Sequence, residues 1–174
     1  KGIRALFKSW DVKLIEGRGI LLAPDAVRVV QKDGSTRDLP TNKVIIATGS
    51  RPAMLPGLSC DGETVLTSDD AVQLKRIPET LLIVGAGVIG AEFAFIYRAF
   101  GAAVTLVEML PRALATEDED MSIIIEREMK KAKIDLVPNT KIETLLKAED
   151  GTVAATLSNG RQVRVAQVLV SIGR

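Results

Sequence analysis

Short runs of apolar residues, separated by glycine, proline and charged residues, recur along this chain and predict buried strands. In the middle of the sequence residues 81–84 predict one strand, a helix follows, and a second apolar strand ends at Glu108. Later runs predict strands at residues 134–137, 140–148 and 168–172. Strand, helix and strand in this order favour an α/β fold with a central parallel sheet.

Tight-turn signals predict two hairpins. Asp33-Gly34 separates residues 27–30 from residues 36–39, and Asn159-Gly160 separates residues 152–157 from residues 161–165. Asp-Gly and Asn-Gly are the residue pairs that two-residue hairpin turns prefer, because their central positions need a positive φ. With the strand at 140–148, the second hairpin forms a β-meander.

The first fifty residues carry three further signals. Residues 2–10 have helical spacing, and residues 12–22 alternate loosely and predict a strand with a close backbone approach at Glu16–Gly19. Residues 44–47 predict a short buried strand. This strand and the one at 168–172 each follow a hairpin and stop near a glycine, which indicates a repeat.

Two more helices are predicted, one before and one after the strand–helix–strand unit that ends at Glu108. Residues 68–74 predict a short helix capped by Ser68, and Thr116 with Glu119 forms the capping-box pattern of a longer one. The longer helix carries a helical stripe of Met121, Ile124, Ile125, Glu128, Met129 and Ala132. A cofactor role for the methionines is possible, but we favour core packing.

The second repeat copy has its own strand–helix–strand unit upstream, and the first copy has none. We therefore expect the chain to start inside one domain and to contain all of a second, with a proline- and glycine-containing linker at 52–61. The first residue is Lys rather than Met, so we expect a piece of a longer protein.

The glycine pattern Gly85-x-Gly87-x-x-Gly90 directly follows the predicted strand at 81–84 and opens the predicted helix. In this context it is the dinucleotide-binding fingerprint. Gly85 allows the tight turn, Gly87 has no Cβ to keep a pyrophosphate from the backbone, and Gly90 lets helix and strand pack closely. The alternative, a helix–strand turn with incidental glycines, is much the weaker interpretation.

Glu108, at the tip of the second strand, indicates which dinucleotide binds. A carboxylate there accepts hydrogen bonds from the adenosine ribose hydroxyls of NAD(H) and repels the 2′-phosphate of NADP(H). The next residues are Met109, Leu110 and Pro111, with a single arginine at position 112. We therefore predict NAD(H) as the cofactor.

The composition excludes several classes of function. A formal net charge of +1 gives no reason to expect nucleic acid or an anionic membrane as partner, and the apolar runs are shorter than a membrane span. We expect no signal peptide, and a single cysteine fits a reducing compartment, so we expect a cytoplasmic protein. The count of 0 histidines removes the commonest general base and metal ligand, and we predict no metal site.

The chain resembles the pyridine nucleotide–disulfide oxidoreductases, and among them the dihydrolipoamide dehydrogenases most closely. The matching residues keep the order and spacing of the family. They are residues 47–52 (ATGSRP), 67–71 (TSDDA), 77–79 (IPE), 84–92 (VGAGVIGAE), 107–108 (VE) and 171–174 (SIGR).

The resemblance implies that residues 1–50 are the C-terminal part of an FAD-binding domain and that residues 51–174 are an NAD-binding domain. It also implies cofactor contacts. The NAD contacts would come from Gly85, Ala86, Gly87, Val88, Ile89, Gly90, Glu108 and Ile142, the FAD contacts from Gly19, Thr48, Gly49 and Ser50, and Gly173 would border the cofactor where the domains meet. Glu92 matches the family's acid near the nicotinamide; its alternative role is to favour the helix dipole.

The function implied is electron transfer between NAD(H) and FAD in a disulfide oxidoreductase. The first FAD glycine motif, the redox cysteine pair and the dimerisation domain of the family are absent from these residues, and Cys60 has no second thiol beside it. We therefore expect FAD only in a full-length, homodimeric parent and no catalysis by this chain alone. The alternatives are a stand-alone NAD(H)-binding redox sensor and part of another flavoprotein, such as a mercuric reductase or NADH oxidase.

Overall fold

The computed structural model describes residues 2–54, 59–73 and 76–174. The chain forms two compact units, residues 1–49 and 50–174. The helices are α1 (Gly2–Ser9), α2 (Ser68–Ala71), α3 (Val88–Ala99) and α4 (Glu119–Lys131). The strands are β1 (Arg18–Ala23), β2 (Ala26–Val30), β3 (Thr36–Pro40), β4 (Val65–Thr67), β5 (Thr80–Val84), β6 (Ala103–Val107), β7 (Asp135–Val137), β8 (Ile142–Lys147), β9 (Val153–Leu157), β10 (Gln162–Val165) and β11 (Gln167–Val170).

The first unit contains α1 and an antiparallel sheet in the order β1-β2-β3. The predicted hairpin is confirmed: β2 and β3 pair from Ala26–Pro40 to Val30–Thr36. The Asp33 carboxylate accepts hydrogen bonds from the backbone N–H and the hydroxyl of Ser35, at 2.9 and 2.7 Å. A side chain that bonds its own backbone two residues on is the reason aspartate favours this turn.

The second unit is built on a five-stranded parallel sheet in the order β4-β11-β5-β6-β7. The predicted α/β class is confirmed. Successive side chains of its central strand point to opposite faces, so Leu81 and Ile83 belong to one core and Leu82 and Val84 to the other. Because both faces are covered, the strand is apolar throughout rather than alternating.

Helices cover one face of the parallel sheet, and the predicted β-meander covers the other. Ala91 and Ala94 of α3 and Met129 of α4 lie in the helix-side core. Strands β8, β9 and β10 form an antiparallel sheet, from which Val153, Leu157 and Val165 pack against the opposite face. This arrangement leaves the carboxyl edge of the parallel strands open for a site.

Residues 44–47 do not form the predicted strand. In the structure they belong to no helix or strand, and the side chains of Ile45 and Ile46 are 91% and 70% exposed. A strand needs a neighbour with which its backbone pairs, and none of the described strands pairs with these residues. The predicted strand at 12–22 is shorter, since β1 begins only at Arg18.

The predicted caps of two helices are one or two residues from the observed ones. Thr67, not Ser68, caps α2 through a capping box with Asp70, and residue 74 lies outside the described residues. Asp118, not Thr116, caps α4 and accepts a hydrogen bond from the N–H of Asp120 at 3.0 Å. Aspartate is as good an N-cap as threonine, so composition alone does not decide between neighbouring candidates.

The methionine stripe of α4 is confirmed only in part as core. Met129 is fully buried and Ile125 packs against the helix-side core, whereas Met121 and Ile124 are 53% and 47% exposed. The buried face instead includes Ser122, which is 1% exposed. The buried face of α4 is therefore rotated about the helix axis relative to the predicted stripe.

Candidate functional site

The register of three neighbouring strands brings the predicted site residues to one edge of the sheet. Val84 of β5 pairs with Val107 of β6 on one side and with Val170 of β11 on the other. The next residue of each strand, Gly85, Glu108 and Ser171, therefore lies at the carboxyl edge. In open α/β sheets this edge is where ligands bind.

Gly85 and Gly90 are required by the packing of the turn itself. Gly85 has φ +99, a conformation that L side chains rarely adopt, and a Cβ there would lie 2.6 Å from the carbonyl oxygen of Ser171. A Cβ on Gly90 would lie 1.9 Å from the carbonyl oxygen of Gly85. Both glycines thus let the first turn of α3 approach β5 and β11 closely.

Gly87 differs from both. Its φ of −69° is open to any residue, and a Cβ built on it meets nothing within 4 Å. Gly87 is the N-cap of α3 and makes no side-chain cap hydrogen bond. The packing gives no reason for a glycine at this position, and Ser, Thr, Asp or Asn would serve at least as well as an N-cap.

Ser171 joins the end of β11 to the glycine turn. Its hydroxyl lies 3.0 Å from the carbonyl oxygens of both Val84 and Gly85, to which it can donate, and its backbone N–H donates to Val84 at 2.8 Å. The residue is 7% exposed. The hydroxyl of Ser171 thereby bonds the carbonyl at the start of the glycine turn.

Glu108 is a buried carboxylate held by two backbone donors. One oxygen, Oε2, accepts from the N–H of Ala86 at 2.7 Å, and the other, Oε1, accepts from the N–H of Leu110 at 2.8 Å. The residue is 8% exposed. A carboxylate offers about four lone-pair positions, so two hydrogen bonds leave acceptor capacity on both oxygens.

A cavity of about 610 Å³ opens above this edge. Gly85, Gly87, Val88 and Ile89 line it from the glycine turn, and Glu108 lines it from the end of β6. On the remaining sides lie Val84, Val107, Met109, Leu110, Ala115, Thr116, Glu117, Lys141, Ile142, Ser171, Ile172 and Gly173. The volume is that of a typical small-molecule site.

The cavity combines exposed apolar side chains with few charges. Val88, Met109, Leu110 and Ile172 are each at least 40% exposed although they are apolar. The charged lining residues are the acids Glu108 and Glu117 and the base Lys141. An apolar wall beside a few polar groups suits a ligand with a flat ring and a polar connecting group.

The structure brings most of the predicted NAD-contacting residues together at this cavity. Ala86 and Gly90 lie directly behind it, where Ala86 is fully buried and Gly90 packs against the turn. Glu92 is on the second turn of α3, is exposed, and is outside the lining. Ser50 is held by Arg174, whose Nε donates to the Ser50 hydroxyl at 3.0 Å.

The remaining predicted residues belong to the first unit. Gly19 is in β1 and pairs with Val29. Thr48 and Gly49 are exposed and lie outside regular secondary structure. The close backbone approach predicted between residues 16 and 19 occurs at Gly17, where a Cβ would lie 2.7 Å from the carbonyl oxygen of Val30.

Several cavity residues were not identified from the sequence. The segment 109–117 supplies one wall, Lys141 supplies the single basic lining residue, and Ser171 holds the turn. In the sequence, the only signal that these residues belong to the site is their position after the ends of strands. In the described ranges no group of three or more His, Cys, Asp or Glu side chains is placed to hold a metal ion, and no helix there is long and apolar enough to cross a membrane.

Comparison with known proteins agrees with this fold. The dihydrolipoyl dehydrogenase of Bacillus subtilis is 38% identical over 185 residues, which cover 99% of this chain and 39% of that protein. The crystal structure of LpdA from Mycobacterium tuberculosis is similar, with a TM-score of 0.81 and 32% identity over 99% of this chain and 39% of that one. The solved structure of the HOCl-induced flavoprotein disulfide reductase RclA from Escherichia coli is also similar, with a TM-score of 0.72 and 25% identity over 99% of this chain and 39% of that one. The chain thus spans about two fifths of the length of these relatives.

The family model for the pyridine nucleotide-disulphide oxidoreductases matches residues 1–174, the whole of the chain. The resemblance inferred from the sequence motifs is therefore confirmed. The chain belongs to the pyridine nucleotide-disulphide oxidoreductase family.

Proposed function

We propose that the cavity at the carboxyl edge of β5, β6 and β11 binds NAD(H), and that these residues serve an oxidoreductase that passes electrons between NAD(H) and a flavin. Dihydrolipoyl dehydrogenase is the activity we propose for that enzyme, because the relative of this name from Bacillus subtilis is 38% identical whereas RclA is 25% identical. When bound, NAD(H) would supply or accept the hydride. The protein side chains bind and orient it.

The open space at Gly87 is the main support for this proposal. Packing explains the other two glycines of the motif, since a Cβ on Gly85 or Gly90 would collide with the backbone. It does not explain Gly87, which has ordinary φ and free space around its missing side chain. A ligand that approaches the backbone at this point explains it.

The pyrophosphate would lie over Gly87, at the N-terminus of α3. The first N–H groups of a helix have no partner within the helix, and this end carries the positive end of the helix dipole. Val88 and Ile89, whose N–H groups belong to this first turn, line the cavity. Backbone donors of this kind bind a phosphate without a basic side chain.

The adenosine end would lie beside Glu108. Its carboxylate oxygens keep lone pairs beyond the bonds to Ala86 and Leu110, and these would accept the ribose hydroxyls. Ile142 and Met109 offer an apolar surface for the adenine ring. A 2′-phosphate would meet two lining acids, Glu108 and Glu117, against one lining base, Lys141, so the cavity favours NAD(H) over NADP(H).

The nicotinamide end would then extend toward Gly173, at the opposite side of the glycine turn from Glu108. We keep Glu92 as the candidate acid near the nicotinamide, since it is on the same helix two residues past Gly90. An exposed acid there could orient a carboxamide or pair with a lysine. Gly19, Thr48, Gly49 and Ser50 remain the proposed flavin-contacting residues.

Titration of the 174-residue chain with NADH tests the proposal. Gly87→Val should abolish binding while the circular dichroism spectrum stays unchanged, since the new side chain fills the cavity rather than the core. Gly2→Val is the matched control, because Gly2 also has free space within 4 Å but lies on α1 outside the cavity. Unchanged NADH affinity in a folded Gly87→Val variant would contradict the proposal.

A further inference from the structure

The wall of the cavity next to Glu108 is an irregular segment, residues 109–117, between β6 and α4. It contributes Met109, Leu110, Ala115, Thr116 and Glu117 to the lining. A segment without helix or strand hydrogen bonds needs other bonds to keep one shape. Arg112, in its middle, provides several of them.

The guanidinium of Arg112 bonds three groups of the protein. Its Nη1 donates to the carbonyl of Leu114 at 3.3 Å and to the hydroxyl of Ser122, and its Nη2 donates to the carbonyl of Glu117 at 3.0 Å. Arg112 is half-buried and is not among the residues that line the cavity. The guanidinium of an arginine presents five N–H donors in a rigid planar arrangement, whereas a lysine ammonium has three donors on one freely rotating nitrogen.

Ser122 connects this arginine to α4. Its hydroxyl accepts from Arg112 and donates to the carbonyl of Ala113 at 2.7 Å, and the residue is 1% exposed. The N–H of Ala113 in turn donates to Glu126 of α4 at 2.9 Å. Two side chains of α4, Ser122 and Glu126, therefore attach the wall to this helix.

The same wall is attached to the glycine turn through one residue, Ala86. The N–H of Leu114 donates to the carbonyl of Ala86 at 2.8 Å, while the N–H of Ala86 donates to Glu108. Leu114 has φ +51, which is unusual for a bulky side chain and persists only where surrounding bonds hold it. Arg112 donates to the carbonyl of this residue, and the Ser122 hydroxyl lies 3.4 Å from the same oxygen.

We propose that Arg112 is a positioning residue for the adenosine end of the NAD(H) site: it holds segment 109–117 in the shape that binds adenosine and does not contact the cofactor. The inference rests on the proposed function. It also means that Arg112, which follows Glu108 in the sequence, bonds groups of the protein and not the 2′-phosphate of a cofactor. Without Arg112 the binding-competent shape would be populated only part of the time, and the apparent affinity would fall by that fraction.

Arg112→Ala and Arg98→Ala form a matched pair of variants. Arg98 also binds backbone carbonyls, those of Ala132 at 2.7 Å and Ala102 at 3.2 Å, but it does so on α3 away from the cavity. Both substitutions remove arginine–carbonyl bonds, so both should lower the melting temperature. A merely structural role of Arg112 would make the two variants alike in ligand binding as well.

The test measures ADP-ribose, NADH and NADPH affinities by calorimetry, well below both melting temperatures. Arg112→Ala should weaken ADP-ribose and NADH about tenfold with an unchanged NADH-to-NADPH ratio, and Arg98→Ala should bind as the unaltered chain does. Ser122→Ala, which removes one acceptor of the guanidinium, should weaken binding less.

Equal ADP-ribose affinity in folded Arg112→Ala and unaltered chain would overturn the inference, and so would a selective loss of NADPH, which would show a direct contact with the 2′-phosphate. If the unaltered chain binds neither ADP-ribose nor NADH, the proposed function itself fails. The two failures are therefore distinguishable.

Discussion

The carboxylate of Glu108 accepts the backbone N–H of Ala86 across 2.7 Å, so the acid at the end of β6 is bonded directly to the glycine turn that follows β5. Its second oxygen accepts the N–H of Leu110, the first part of the cavity wall. One buried side chain therefore bonds both the turn and the wall and still has free lone pairs on both oxygens. A change at Glu108 should alter stability and binding together.

We expect Glu108→Gln to show both effects. The amide keeps one oxygen acceptor and presents an NH₂ group to the other donor, so one of the N–H groups of Ala86 and Leu110 loses its acceptor. The free energy of unfolding should fall by about 1–3 kcal/mol, and NADH affinity should fall as well. Urea denaturation and calorimetry measure the two changes; a loss of affinity without any loss of stability would contradict the double role.

Alanine at Gly90 and at Gly87 should give opposite results. At Gly90 the Cβ meets the carbonyl oxygen of Gly85 at 1.9 Å, so overpacking should cost about 1–3 kcal/mol of stability or more. At Gly87 the Cβ has free space, and the reduced entropy of the unfolded chain roughly offsets the loss of a favourable N-cap residue, so stability should change little while NADH affinity falls. Thermal melts with and without NADH distinguish the two, and equal destabilisation by both substitutions would count against this reading of the turn.

Ser171→Ala should lower the free energy of unfolding by about 1 kcal/mol, because the carbonyls of Val84 and Gly85 lose a buried hydroxyl donor. Ser9→Ala is the matched control: its hydroxyl also bonds a carbonyl, that of Leu6 at 2.9 Å, but in an exposed position. Chemical denaturation should show a clear difference between the variants. If both behave alike, the buried hydroxyl bond contributes nothing particular to the turn.

Asp61 should make the stability of the second unit depend on acidity. Burial raises the pKa of this carboxyl, but hydrogen bonds from the backbone N–H groups of Val65, Glu63 and Thr64 and from Lys147 outweigh it and hold the pKa well below its usual value. A lowered folded-state pKa stabilises the protein above the unfolded pKa of about 3.9, and this contribution is lost as the pH falls below that value.

Asparagine keeps the Oδ1 acceptor of the three N–H groups but loses the negative charge and the pair with Lys147. Asp61→Asn should therefore be less stable than the unaltered chain at pH 7, by about 1 kcal/mol, and the difference should shrink as the pH falls below about 4. Solvent screening of the half-exposed pair with Lys147 keeps the effect small. Melting curves at several pH values measure it, with Glu149→Gln, an exposed acid in the turn after β8, as control. A difference that stays constant across pH would contradict the assignment.

The parallel sheet, the meander and the position of the glycine turn were predictable because their signals are local. The signal consists of an apolar strand, three glycines and an acid at the next strand end, which are close together in the sequence. The parallel register of β5 and β6 then places the glycines and the acid at the same edge of the sheet. The strand predicted at 44–47 failed because apolar content does not supply a pairing partner. Caps failed by a residue or two, since Thr116 and Asp118 are equally acceptable in composition.

The bonds made by Arg112 and Ser171 were not predictable in the same way. Arg112 bonds Ser122 because α4 packs against the wall, and Ser171 bonds Gly85 across 86 positions of sequence. Contacts of this kind depend on the tertiary arrangement rather than on any nearby pattern. They are the part of the candidate site that needed the structure.

The central claim, a site for NAD(H) with Glu108 at the adenosine ribose, is tested most directly by titrating the unaltered chain with NADH and with NADPH in the same buffer. Loss of the ribose hydrogen bonds together with repulsion by the buried carboxylate should cost NADPH on the order of 2–4 kcal/mol, or roughly 30- to 1000-fold in affinity. Calorimetry should therefore show clear NADH binding and a much weaker NADPH isotherm. Equal affinities for the two cofactors, or binding of neither, would contradict the account.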